Sequence, residues 1–516
     1  MSRSLALSRR NFLGLTGGVG IAAAFGLAGC GDDSAADTGT VRAVVPGAVP
    51  PGWDAVLAKV NERLKAEQGL TLEVQFVNWS NYQQQALLKF TSGERFDTAL
   101  QALWLNMAQL QQDRALADLT AEIGKYQNLR ATLDDRLIKA NQWDGKLWGI
   151  PQVNSAARCQ HFAVRQDLAE KYGFAQIADY DTLERFFYAV KQKGGGTVPY
   201  GLNSASGYLH AMPMPAGMFN VRSWEDPHTI ARAFTGRGMF FIFAKDAAQT
   251  KASRPVPFWE DAGVIDAMRR IRRYYLDGII NKDAVNTDTD TIKSQWRAGK
   301  YAATWAMTDG TTSNELPSLR KAVPGASLAD VLPYRGGLNS KPNQTFQADN
   351  LVVVNANGGD VAKALKVQDW LSVKANHDLI EYGIEGTDWK PVGDDKFEAL
   401  SQYTTFPGYA LSWRASLERK ASYMTESEEK VFAWAQNYDN FTVDPFASFV
   451  PDTKPVEQQI AAISTVITQY ANPLYYGVVD VDKQLDKLKK AAESAGVDKL
   501  NAEMEKQADA YLAKNP

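Results

Sequence analysis

The sequence predicts an α/β protein with a mainly parallel, doubly wound sheet. Between residues 41 and 103, short apolar runs alternate with helical patterns, the signature of βαβ units. At 516 residues and 45% hydrophobic content the chain can bury a large core and divide into at least two domains. Its 39 glycines and 21 prolines are ordinary usage, which excludes collagen-like and low-complexity architectures.

Val41 to Val45 is an apolar run ended by Pro46 to Gly52, after which Trp53, Val56, Leu57, Val60 and Leu64 recur at helical spacing up to a stop at Gly69. Leu70, Leu72, Val74 and Phe76 alternate with Thr71, Glu73 and Gln75 and predict a second strand. Asn78 to Asn81 opens another helix through Phe90, and Thr98 to Leu103 is a third strand. Asp144-Gly145 sits between the aromatic arms Trp143 and Trp148 and predicts a hairpin. Further on, strands are expected at 158–164, 301–307 and 351–354, and helices at 181–193, 260–276 and 361–373. A closing helix carries Val497, Leu500, Met504 and Tyr511 on one face.

Residues 1–29 read as an export signal, because Arg3, Arg9 and Arg10 precede a Gly- and Ala-rich apolar stretch with no acidic residue before it. Ser8-Arg9-Arg10-Asn11-Phe12-Leu13 resembles a twin-arginine signal, and Leu27-Ala28-Gly29-Cys30 resembles a lipobox, in which Cys30 is acylated and becomes the first residue. Residues 30–40 then form a polar, lipidated tether. Removal of 1–29 takes away three arginines and moves the net charge from −3 to −6. Only Cys159 remains, so no internal disulfide can form. Basic residues make no extended run, and nucleic acid is not an expected partner.

Leu116-Ala117-Asp118-Leu119-Thr120, Asp144-Gly145-Lys146-Leu147-Trp148-Gly149-Ile150-Pro151, Ala298-Gly299-Lys300-Tyr301-Ala302-Ala303 and Tyr382-Gly383-Ile384-Glu385-Gly386 occur in that order behind the signal. Together they resemble the extracellular solute-binding lipoproteins of carbohydrate ABC importers, family 1 type, and among them the larger LplA-like proteins. The resemblance implies a two-lobed periplasmic-binding-protein-like fold of type II, with discontinuous lobes joined by hinge segments and closing on a ligand. The lobes would be residues 41–154 plus 347–395 and residues 155–346 plus 396–516. The insertion between Tyr208 and Lys251 could reshape the cleft.

Such a receptor would capture an oligosaccharide or modified sugar as a monomer, without a cofactor, at the outer face of the cytoplasmic membrane, and hand it to the transmembrane permease subunits. Ligands of open α/β sheets meet the carboxyl ends of strands, where Trp79 and Trp104 stand. An indole suits the flat C–H face of a sugar, and planar polar groups suit its hydroxyls. Gln152, Asn154 and Arg158 follow on the segment leaving the first lobe. Trp305 and Asp309 end a strand of the second, Asp349 and Asn350 lie at the return crossing, and Trp389 lines the cleft or a lid. His161 is expected to be a buried, hydrogen-bonded strand residue.

No Gly-x-Ser-x-Gly elbow, phosphate loop, His-Glu-x-x-His helix or Cys-x-x-Cys pair occurs, so no catalytic residue and no His or Cys metal site is expected. A carboxylate-only Ca²⁺ site stays open on this reading. The rival readings are a binding protein for a peptide or polyamine, held by charged pockets, and a secreted polysaccharide-active enzyme.

Overall fold

A computed structural model describes residues 39–103, 105–204, 230–234, 239–243, 254–308, 310–332, 334 and 336–515. The export signal, Cys30, Trp104, Asp309 and most of the 208–251 insertion lie outside the described residues.

Strand β1 (Thr40–Pro46) leads into helix α1 (Trp53–Gln68), strand β2 (Thr71–Val77), helix α2 (Trp79–Ser92) and strand β3 (Thr98–Gln101). Helix α1 ends at Gly69, whose φ of 69° lets its N–H turn back to the Lys65 carbonyl at 3.0 Å, a conformation that favours glycine. The chain continues through a two-stranded hairpin turning at Asp144-Gly145, then β4 (Ile150–Gln152) and β5 (Gln160–Arg165). Later come β6 (Ala303–Met307), β7 (Leu328–Val331), β8 (Asn350–Val354), and helices α3 (Val361–Leu371), α4 (Lys374–Tyr382) and α5 (Glu426–Gln436).

The first sheet has the order β2-β1-β3-β8-β4. β1 is parallel to β2 and β3, whereas β8 runs antiparallel to both β3 and β4. The second sheet, β6-β5-β7, is antiparallel throughout. The expectation of mainly parallel pairing therefore holds only for the N-terminal βαβ units. Leu351-Val352-Val353-Val354 is buried on both faces, and a continuous apolar run reads the same in either chain direction.

Side chains leave β1 alternately. Val44 packs with Tyr82, Ala99, Leu351 and Val353 beneath α2, while Val41 and Ala43 pack with Val60, Leu64, Val367 and Ile380 from α1, α3 and α4. Around the second sheet, Phe162 and Val164 join a core closed by the helices at 180–193, 262–277, 481–494 and 497–514. Val497, Leu500 and Met504 of the last helix are buried there.

Residues 403–411, expected in the second lobe, pack into the core beside the first sheet. Phe406 stacks on Trp53 (5.5 Å, 7°) and Tyr403 on Phe406 (5.9 Å, 5°), and the Tyr403 hydroxyl donates to the Ile380 carbonyl at 2.8 Å. Aromatic stacking over 350 residues of separation left no local pattern to read. His161 is buried on β5 and bonded to Asp330 of β7. Cys159 is fully buried against Tyr334 and Phe346, and burial pushes its thiol up to about 12.

Leu351 is fully buried between β3 and β4. Replacing it by alanine is expected to remove about 2–5 kcal/mol of stability, read as a lower denaturant midpoint with an unchanged slope.

Candidate functional site

The carboxyl ends of β1 and β2 carry an aromatic strip. Trp79 is the first residue of α2, directly after β2, and is 43% exposed. Its indole N–H donates to the Tyr409 hydroxyl at 2.9 Å, and the two rings lie 5.9 Å apart at 20°. Tyr82, fully buried, supports Trp79 edge-on at 5.7 Å and donates to the carbonyls of Val44 and Leu100. Tyr409 meets Trp413 edge to face at 5.7 Å, and the Arg158 guanidinium lies 5.5 Å above the Trp413 ring. Arg158 Nη1 in turn donates to Asp349 Oδ2 at 2.8 Å, with both side chains about one-third exposed. Flat apolar faces and a planar, charged hydrogen-bonding pair are thus presented on one surface.

The loop bearing Tyr409 and Trp413 is shaped from below by α4. Glu381 accepts from the Ser412 hydroxyl at 2.6 Å and from the Trp413 side chain. A Cβ on Gly408 would come within 2.1 Å of Glu381 Oε2, so the carboxylate occupies the space a side chain would need. Burial and the nearby Glu418 carboxylate push Glu381 up to about 7. His377, fully buried, lies 3.4 Å from Glu418 and 3.6 Å from Asp378. Burial opposes its charged form, but these carboxylates outweigh it and hold the imidazole at about 9.

The sequence-predicted residues divide into two groups. Trp79, Arg158 and Asp349 are brought together on the strip, with Trp413 between the first and the ion pair. Gln152, Asn154 and Asn350 are buried in the framework behind it. Gln152 pairs with Asn350 across β4 and β8 and gives its amide oxygen to Arg414, while the Asn154 carbonyl accepts from Gln436 of α5 at 3.0 Å. Trp305 is half-buried on β6 opposite Phe162 of β5. Trp389 lies inside a small core of its own: it is 4% exposed, packs on Tyr382, and its indole N–H donates to the Gly383 carbonyl at 3.0 Å. A cleft-lining or lid position does not fit that burial. Trp104 and Asp309 lie outside the described residues.

Tyr409 and Trp413 were not among the sequence-predicted residues. The available signal was Phe406-Pro407-Gly408-Tyr409, an aromatic turn with Trp413 close behind, but it lies well past the preceding strand, Lys396–Ala399, and so marks no strand-end position.

The buried cluster predicts a pH dependence. Glu381 has a folded-state pKa above its unfolded value, so its contribution is complete below about 4.5 and is lost as pH rises through about 7. His377 is likewise raised, and its contribution, complete below about 6.5, is lost as pH rises through about 9. The melting temperature is expected to fall from pH 5 to pH 9, and His377→Gln is expected to flatten the portion between about 6.5 and 9. An unchanged profile in that variant would remove His377 as a source.

A family model described as a bacterial extracellular solute-binding protein matches residues 59–378, and one described as a domain of unknown function matches residues 445–513. A carbohydrate ABC transporter substrate-binding protein of Streptococcus pneumoniae serotype 4 is 26% identical, over 95% of this chain and 96% of its own length. Among solved structures, the N-glycan transport solute binding protein NgtS from Streptococcus pneumoniae superposes with a TM-score of 0.77 at 21% identity, covering 92% of this chain and 100% of that one. The same protein in complex with Man5GlcNAc gives 0.67 at 22% identity, covering 92% and 99%. These likenesses show an α/β fold of the type II periplasmic-binding class. With its family model spanning more than half of it, the chain belongs to the bacterial extracellular solute-binding proteins.

Proposed function

We propose that this protein captures a carbohydrate, an oligosaccharide or modified sugar, and delivers it to the permease of an ABC importer without breaking a bond in it. The observation that carries this reading is the strip Trp79–Tyr409–Trp413 with the Arg158–Asp349 pair at its end. Stacked rings match the C–H faces of successive sugars, and the ion pair can donate to and accept from neighbouring hydroxyls. A peptide or polyamine would call for concentrated charge of one sign, whereas here each charge on the strip is already balanced by its neighbour. A relative named for carbohydrate transport and a solved neighbour complexed with Man5GlcNAc support the same class of ligand.

In this reading two lobes close over the ligand, and closure is driven by tighter binding to the closed state. The first lobe takes residues 41–154 and 347–395 and, because of the Trp53–Phe406–Tyr403 stack, the chain onward to about residue 414; the second takes the remainder. Lipid on Cys30 and the tether to residue 40 would hold a monomer at the outer face of the cytoplasmic membrane. No helix among the described residues is long and apolar enough to cross a membrane, which is compatible with anchoring by lipid.

Titration calorimetry against a panel of glycans that includes Man5GlcNAc tests the ligand. A binding glycan at a hundredfold excess over its Kd should add about 2.7 kcal/mol of stability, and Trp79→Ala and Trp413→Ala should each weaken it by about 1–3 kcal/mol. Wild-type affinity in both variants would take the strip out of the site. Cys30→Ala is expected to shift the protein from the membrane fraction to the soluble one; retention on the membrane would refute the anchor.

A further inference from the structure

We propose that Arg414 is a positioning residue for the ligand site, locking the ring of Trp413 and the segment that carries Arg158 into one rigid unit; its effect on ligand rests on the carbohydrate reading above. Arg414 is 1% exposed and is among the largest wholly buried side chains. Its guanidinium donates through Nη1 to Gln152 Oε1 at 3.0 Å and to the Trp413 carbonyl at 2.7 Å. Nη2 donates to Gln368 Oε1 at 2.7 Å and Nε to Ser372 Oγ at 3.2 Å. Each of these acceptors is neutral. A buried cation normally demands a carboxylate partner, and the nearest one bonded to this residue, Glu418, accepts from its backbone N–H at 3.3 Å instead.

The four acceptors lie on three separate pieces of chain: the end of β4, helix α3, and the aromatic loop itself. The backbone adds a fifth link, since Val153, next to Gln152, pairs with Arg414 as an isolated parallel bridge. Gln152 and Val153 begin the segment that reaches Arg158, and Trp413 precedes Arg414. The 5.5 Å contact between Arg158 and Trp413 therefore closes a ring of bonds whose opposite side is the buried guanidinium. A planar fork with five donors can serve these directions at once. A lysine, with three donors on a single nitrogen, keeps the charge but cannot span them. Gln152, expected from the sequence to touch ligand, is one of the four acceptors, and its role is to fix Arg414.

The test is Arg414→Lys, read first without ligand by hydrogen–deuterium exchange. Peptides covering 152–158 and 408–414 are expected to lose protection together while those covering β1 and β2 keep theirs. Wild-type protection in either segment, or a loss spread evenly over the first sheet, would overturn the proposal. The second reading is a cycle of Arg414→Lys and Trp413→Ala with Man5GlcNAc. Arg414→Lys is expected to weaken binding about tenfold, and adding it to Trp413→Ala should cost less than about twofold more. Additive losses would overturn the coupling. If wild-type protein does not bind Man5GlcNAc, the sugar reading loses its probe while the exchange result still decides the role of Arg414. Should Arg414→Lys fail to fold, Gln152→Leu, which removes the acceptor on β4 together with the Gln152 amide's bond to the Ile150 carbonyl, is expected to raise exchange in the same two segments.

Discussion

The stack of Trp53, Phe406 and Tyr403 is the contact on which the site depends. Trp53 opens the first helix among the described residues, and its partners come 350 residues or more later. Three rings, nearly parallel and buried, clamp the returning segment onto the first sheet, and only then can the turn at Gly408 sit beside Gly47 at the end of β1. Everything that makes the strip continuous, from Trp79 through Tyr409 to Trp413, follows from where that clamp delivers the loop.

Below the loop the protein uses ionisable groups as building material. Glu381, His377, Asp378 and Glu418 surround the base of the turn, and the carboxylates outnumber the imidazole. Burial and the neighbouring Glu418 carboxylate raise Glu381, so it retains a proton near neutrality that an isolated carboxylate would release. On the other side of the same loop, Arg414 is satisfied by amides and a hydroxyl. Both arrangements fix the aromatic side chains without placing a full charge on the exposed surface.

The local architecture was legible in the sequence because it follows from near-neighbour patterns. The alternation over 70–76, the stop at Gly69 and the Asp144-Gly145 turn all have structural counterparts with similar limits. The strand-end argument also located Trp79, since α2 begins at the carboxyl end of β2. What escaped was long-range. The direction of β8, the packing of residues 403–411 and the aromatic loop are set by contacts between distant segments, and no period of two or 3.6 encodes them. Polar residues near the crossing, Gln152 and Asn154, looked equally suited to ligand and to framework; both are buried, the Gln152 amide oxygen accepts from the buried arginine, and the main-chain carbonyl of Asn154 accepts from the glutamine of α5. Trp389 shows the matching ambiguity for aromatics, as its ring fills a core.

Cys159 has a practical consequence. Its sulfur is sealed among Tyr334, Phe346 and Gln344, and the thiolate form is strongly disfavoured at neutral pH. Were Cys30 capped by lipid, the protein would offer thiol-alkylating reagents no accessible cysteine, since Cys159 is the other of its two. A pair of cysteines introduced at chosen surface positions could then accept fluorophores without background labelling, so that the proposed closure could be watched one molecule at a time.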